Sequence, residues 1–289
     1  LPMRSIFKFL LLMISCVLYG TGTQFLSIPS NGLELAIGTN AIQKNSINPA
    51  GLLTHSPGPT MGVSYGSWLA NTKLSAIKVL FPGQKMSYGL DLKYVDLDDL
   101  ELRSERPTDD PLATFGASGF SLGGSFSKEF LGIDVGAAIR YVRIDLYTEN
   151  SSGFAGDIGV TKTLSPNINL GGAILNLGKM SDLRNEEPKL PLRIVSTANL
   201  KVEMDQLVNN IALTGEWSNL INGSIFYVST ISKWKNMSFR LSSKLAENIT
   251  EISGGLGLQF GMYRLNYGVR IGSQNLGIPQ MIDLIIQLP

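Results

Sequence analysis

Long stretches of the chain alternate apolar residues with polar or small ones. From Met262 it reads MYRLNYGVRIG, which sets Tyr263, Leu265, Tyr267, Val269 and Ile271 on one face of an extended strand. Arg264, Asn266, Gly268 and Arg270 take the other. LGIDVGAAIRYVRI, from Leu131, places Ile133, Val135, Ala137, Ile139 and Tyr141 opposite Asp134 and Arg140. MSYGLDLKY sets Met86, Tyr88, Leu90, Leu92 and Tyr94 against Ser87, Gly89, Asp91 and Lys93, and MSFRLSSKL repeats the pattern from Met237. Soluble strands usually run about 5–6 residues, whereas a tilted membrane-spanning strand needs about 9–11. The runs here are mostly ten to fifteen residues long. That length favours a membrane barrel, with apolar faces toward lipid and polar faces toward a lumen.

The pattern predicts fourteen strands, at 60–69, 72–81, 85–96, 114–127, 131–147, 152–164, 167–178, 191–202, 207–218, 221–231, 234–245, 251–260, 262–272 and 280–288. An even count suits an outer-membrane barrel with both ends in the periplasm. Connection lengths agree. Those after even strands are tight: PGQ, SKEF, SPN, EMDQ, SKWK and FGM. The two longest connections, Asp96 to Ala113 and Gly178 to Leu190, follow odd strands, where external loops belong. The fold class read from the sequence is therefore all-β, a 14-stranded antiparallel transmembrane barrel.

Parity assigns Asp91, Asp134, Asp157, Glu216 and Asp283 to the lumen, with Lys93, Arg140, Arg193, Arg240, Arg264 and Arg270. Opposite signs in similar number imply a paired interior network rather than a strongly ion-selective pore.

Charged residues make up 16% of the chain, below the roughly 25% of soluble domains, and the net charge of +1 gives no basic stripe for nucleic acid. Residues 1–22 read as a signal peptide: Arg4 and Lys8, then the apolar run Phe9 to Tyr19, then Gly20 and Gly22. Its removal leaves 22 basic against 23 acidic side chains, a net charge of about −1. The one cysteine, Cys16, falls within this leader. No catalytic set is visible. His55 is the single histidine, which leaves no triad and no multi-histidine metal site. The seven acids between Asp96 and Asp110 lack calcium-loop spacing and read as a solvated external loop. No enzyme activity, cofactor or metal is implied.

One segment, 23–59, breaks the pattern ahead of the barrel, 60–289. In NSINPAGLLTHSPGP, Pro49 fixes its own φ and keeps Asn48 out of the helical region, while Gly51 is free to turn. Residues Asn48, Pro49, Ala50 and Gly51 thus form a stiff, compact turn. Fourteen strands enclose more space than their side chains fill, so the turn suits a plug inside the barrel; it equally suits an ordinary turn before the first strand.

NPAGL, preceded by LELAIGTNAIQKNSI, resembles the N-terminal plug region of the PorV/PorQ family, which is related to the fatty-acid transporter FadL. The likeness continues through GFAGDIGV, LNLG, LPLRIVSTANL and GGLGLQFGMYRLNYGV, in order along nearly the whole chain. Two departures stand out: IGTNAI replaces the family's GGA run, and the chain ends LIIQLP without a closing aromatic. The resemblance implies an outer-membrane barrel with an N-terminal plug. By the PorV likeness it is a partner-binding component of type IX-like secretion that meets exported proteins or secretion-machinery subunits. By the FadL likeness it is a passive channel for fatty acids or other hydrophobic small molecules. Outer-membrane lipid is the remaining expected partner. A soluble exported β-protein is a third class, which would not fractionate with the outer membrane.

Overall fold

The computed structural model describes residues 22–53, 58–83, 85–102, 110–221, 223–247, 249–272 and 277–288. The leader with Cys16, and His55, lie outside them. The first seven strands are β1 (Thr60–Ser67), β2 (Lys73–Phe81), β3 (Met86–Leu102), β4 (Ala113–Phe130), β5 (Ile133–Leu146), β6 (Glu149–Ser165) and β7 (Ile168–Met180). The rest are β8 (Arg193–Met204), β9 (Leu207–Ser218), β10 (Ser224–Trp234), β11 (Met237–Ala246), β12 (Ile249–Phe260), β13 (Tyr263–Gly272) and β14 (Gln280–Gln287). Each pairs antiparallel with its neighbours in sequence, and β1 pairs with β14, from Thr60 opposite Gln287 to Ser67 opposite Gln280. The sheet closes on itself as a 14-stranded barrel with no free edge.

Connections after even strands gather at one rim, the turn end. Between β4 and β5 only Leu131 and Gly132 intervene, both at positive φ (52° and 73°), the backbone of a two-residue hairpin turn. The opposite rim, the loop end, carries the longer segments between β3 and β4 and between β7 and β8.

Two expectations need correction. The acidic stretch from Asp96 is not all loop, because β3 continues to Leu102 across an irregularity between Leu97 and Leu100. Alternation resumes there, with Leu100 opposite Phe115 and Leu102 opposite Ala113. The hairpin expected around Lys233 lies two residues later, at Lys235 and Asn236, with Lys235 at φ 49°. Trp234 continues the outward series of Phe226 and Val228, so its indole belongs on the strand, facing lipid.

The outer surface explains the alternation. Leu90, Leu122, Ile139, Ile158, Leu213, Leu241 and Leu256 are all exposed around the wall, far more contiguous apolar surface than a soluble monomer shows. Aromatics border this band at both rims: Phe81, Tyr88, Phe130, Trp234 and Phe260 at the turn end, and Tyr65, Tyr147, Phe154, Trp217 and Phe226 at the loop end. Two aromatic girdles around an aliphatic belt are the signature of a barrel solvated by lipid.

Inside the barrel runs the chain from Gly22 to Leu53. It contains a 3-10 turn at Thr23–Ser27, helix α1 (Gly32–Ile37) and a second 3-10 turn at Pro49–Leu52. It starts near the loop end, where Phe25 lies so close to Gly119 that a Cβ there would fall 2.5 Å from the ring. Helix α1 packs on β10 to β14. Asn31 caps it by accepting from Glu34 N at 2.8 Å, and Gly38 ends it at φ 69° by donating to Glu34 O. The second 3-10 turn packs on β3 to β6. The chain enters β1 at the turn end, where Gln287 Nε2 donates to the carbonyls of Gly58 (2.7 Å) and Pro59 (3.0 Å).

Candidate functional site: the interior cavity

Between the interior segment and the wall lies a cavity of about 1760 Å³ that extends from loop-end to turn-end residues. An apolar cluster marks its loop end and a polar zone its middle.

The loop-end zone carries a buried apolar cluster among polar lining residues such as Ser118, Asp145 and Glu186. Phe25, Leu26, Leu74, Ala76, Val95, Val142 and Ile144 form one buried cluster, with Ile28, Trp68 and Leu183 packed against it. Val142 and Ile144 share the inward face of β5 with Arg140. The expectation that polar faces line the lumen holds only in part: the inward face of several strands turns apolar toward the loop end.

The middle zone is polar and charge-balanced. Arg193 holds Glu216 through two bonds, Nε to Oε1 at 2.6 Å and Nη2 to Oε2 at 3.0 Å, and Nη2 also donates to Thr39 Oγ1 at 2.8 Å. This bidentate pair ties β8, β9 and the interior segment together. Arg140 pairs with Asp157, whose other oxygen accepts from Asn176 N at 2.7 Å. Pairing between β6 and β7 slips at this point, between Gly156 and Ile158, so Asp157 supplies a bond the ladder lacks. Lys93 donates to Ile28 O. Asp91 borders the cavity beside Arg140, since a Cβ at Gly123 would touch both side chains. Asp283 accepts from Gly32 N (2.7 Å) and Asn266 Nδ2 (2.6 Å), and Arg240 Nη2 donates to Asn266 Oδ1 (2.8 Å). Arg270 contacts Glu251 at 3.3 Å and lies 5.3 Å above the Trp68 ring.

Of the expected lumen charges, two sit apart. Asp134 accepts from Thr161 Oγ1 at 3.2 Å and borders a separate pocket of about 250 Å³ near the turn end. Arg264 is exposed at the turn-end mouth. The sequence reading missed Glu34, Lys78 and Glu251, and put Lys244 on a polar face without counting it among the lumen charges. Glu34 is buried on the interior segment within coulombic reach of Lys78, Lys93, Arg140 and Arg193. Lys78 Nζ donates to Asn45 O and Ser46 O, both at 3.1 Å. Its parity with Leu74, Ala76 and Leu80 hid it, because that face of β2 reads as apolar.

The Asn48–Gly51 turn lies between the cavity and the wall. Asn48 is fully buried; its Nδ2 donates to Ala41 O (2.6 Å), Val160 O (3.2 Å) and Gly172 O (3.3 Å), and its Oδ1 accepts from Ala50 N (2.9 Å). Pro49 occupies the first position of the 3-10 turn, where its missing N–H costs nothing. Pro49 and Ala50 press on Gly136, where a Cβ would stand 2.4 Å from Ala50 N, and Gly51 N closes the turn on Asn48 O at 3.0 Å.

No family model and no curated protein matches the chain. Solved structures do. The toluene transporter TbuX of Ralstonia pickettii is 11% identical over 90% of this chain and 98% of its own, with a TM-score of 0.60. The toluene transporter TodX of Pseudomonas putida is 12% identical over 90% and 96%, with a TM-score of 0.59. A Pseudomonas aeruginosa FadL homologue is 9% identical over 89% and 98%, also at 0.59. The chain has the fold of these FadL-like barrels.

Proposed function

We propose that this protein is an outer-membrane channel for hydrophobic small molecules, its loop end outside and its interior segment acting as a plug. One observation carries the reading: the loop-end zone of the cavity holds a buried apolar cluster inside a barrel whose lumen elsewhere is polar. A water-filled pore has no use for Phe25, Leu26, Val95 and Ile144 bordering its cavity, whereas a hydrophobic solute leaving water does. The likeness to two toluene transporters and a FadL homologue supports this choice of cargo. No feature of the described loops favours the secretion-partner role implied by the PorV/PorQ resemblance. The division into leader (1–22), plug (23–59) and barrel (60–289) belongs to the same proposal.

The test is uptake. Outer membranes carrying the full chain should admit toluene or decanol faster than membranes without it. Val95→Thr keeps the side-chain shape, puts a hydroxyl in the apolar zone and should slow uptake. Equal uptake with and without the protein, from a barrel shown to be folded, contradicts the channel.

A further inference from the structure

The charges at the turn-end mouth of the cavity do not balance, unlike those higher in the lumen. Above it Arg140 meets Asp157, Arg193 meets Glu216, and Lys244 and Arg270 share Glu251. At the turn end, inward positions carry Lys201 on β8, Lys233 on β10 and Arg264 on β13, with Arg240 on β11 just above them and Asp134 on β5 bordering the separate small pocket. Lys201 is held by Glu203, and Arg240 donates to Ser238 Oγ, Asn266 Oδ1 and Leu256 O. Lys233 and Arg264 form no ion pair among the described residues, and both border the cavity. Arg264, Arg240, Lys201 and Lys44 all lie within coulombic reach of Lys233.

We propose that this mouth is a binding site for a small oxyanion group, a carboxylate or phosphate, seated between Lys233 and Arg264. Cations that converge in an opening with low-dielectric walls focus a positive potential there, and an anion relieves their mutual repulsion. Arg264 offers the planar donor fork suited to a carboxylate or phosphate and Lys233 a point charge. Gln259, on β12 beside Arg264, borders the same mouth and adds an amide donor. The site stands on this arc of side chains; that its occupant is the head group of a departing solute rests on the channel reading.

The full chain in non-ionic detergent is treated with an amine-acylating reagent, and modification of Lys233 is followed by mass spectrometry. Decanoate, decanol and inorganic phosphate are the three probes. Decanoate is expected to slow modification of Lys233 severalfold while decanol leaves it unchanged, and Arg264→Gln, an exposed change, should abolish the protection. Protection by phosphate as strong as by decanoate supports the site with a free anion as its occupant; protection by decanoate alone supports an amphiphile head group. Equal protection by decanol and decanoate, or none by any probe, overturns the site. If Trp68 fluorescence still responds to decanol in that sample, the channel reading survives the failure of the anion site.

Discussion

The interior segment has two stretches held in different ways. Residues 31–53 are locked by directional contacts: the Asn31 cap, Gly32 N on Asp283, Thr39 on Arg193, Ala41 N on Thr197 Oγ1 (2.9 Å), and the four bonds of Asn48. Its backbone also sits in notches that a methyl group would fill; a Cβ at Gly268 would stand 2.2 Å from Gly32 O. Residues 22–30 have apolar packing by Phe25 and Leu26, and few cross-lumen bonds, among them Thr23 Oγ1 to Lys189 O at 2.6 Å and Lys93 to Ile28 O. Hydrogen bonds and steric notches fix a position, whereas apolar packing is non-directional and tolerates sliding. The stretch with Phe25 and Leu26 is thus held by fewer hydrogen bonds, its one close notch being that of Phe25 at Gly119.

The contrast can be broken most severely at the anchor. Arg193→Ala leaves Glu216 buried without its partner and should cost about 3–5 kcal/mol, read as a lower unfolding midpoint in detergent. Asn48→Ala removes one side chain's four bonds and should cost about 1–3 kcal/mol. Gly159→Ala sharpens the point, because its Cβ would stand 1.8 Å from Asn48 Oδ1. It should displace residues 41–52 and speed their amide exchange, and Asn48→Ala in the same chain should recover part of the loss. Thr23→Val should cost about 0.5–1.5 kcal/mol and raise amide exchange only in residues 22–30, already the faster stretch. At the small end, Lys73→Ala breaks an exposed 3.1 Å pair with Asp98 and should leave the unfolding midpoint in detergent nearly unchanged.

The barrel was legible because period-two alternation is a direct image of lipid on one side and lumen on the other. Leu213, Glu216 and Trp217 could be assigned faces from spacing alone. The apolar zone was not legible, because Ala76 and Ile144 look the same in sequence whether they face lipid or the interior segment. The seat of the Asn48 turn was half legible. Gly136, Gly159 and Gly171 in strand interiors signal close approach by something, but nothing local names the partners, and at Gly136 they are backbone atoms of Pro49 and Ala50 that leave no side-chain pattern. Asp157 borders the cavity, and its bond to Asn176 N depends on a register slip that no local pattern announces.

Trp68 gives the most direct access to the central claim, since it borders the apolar zone while Trp217 and Trp234 face lipid. In a chain carrying Trp217→Phe and Trp234→Phe, Trp68 fluorescence is titrated with toluene or decanol. A channel with an apolar binding zone predicts a saturable change that Val95→Thr weakens. A flat signal up to the solubility limit of both solutes, from a folded barrel, would contradict it.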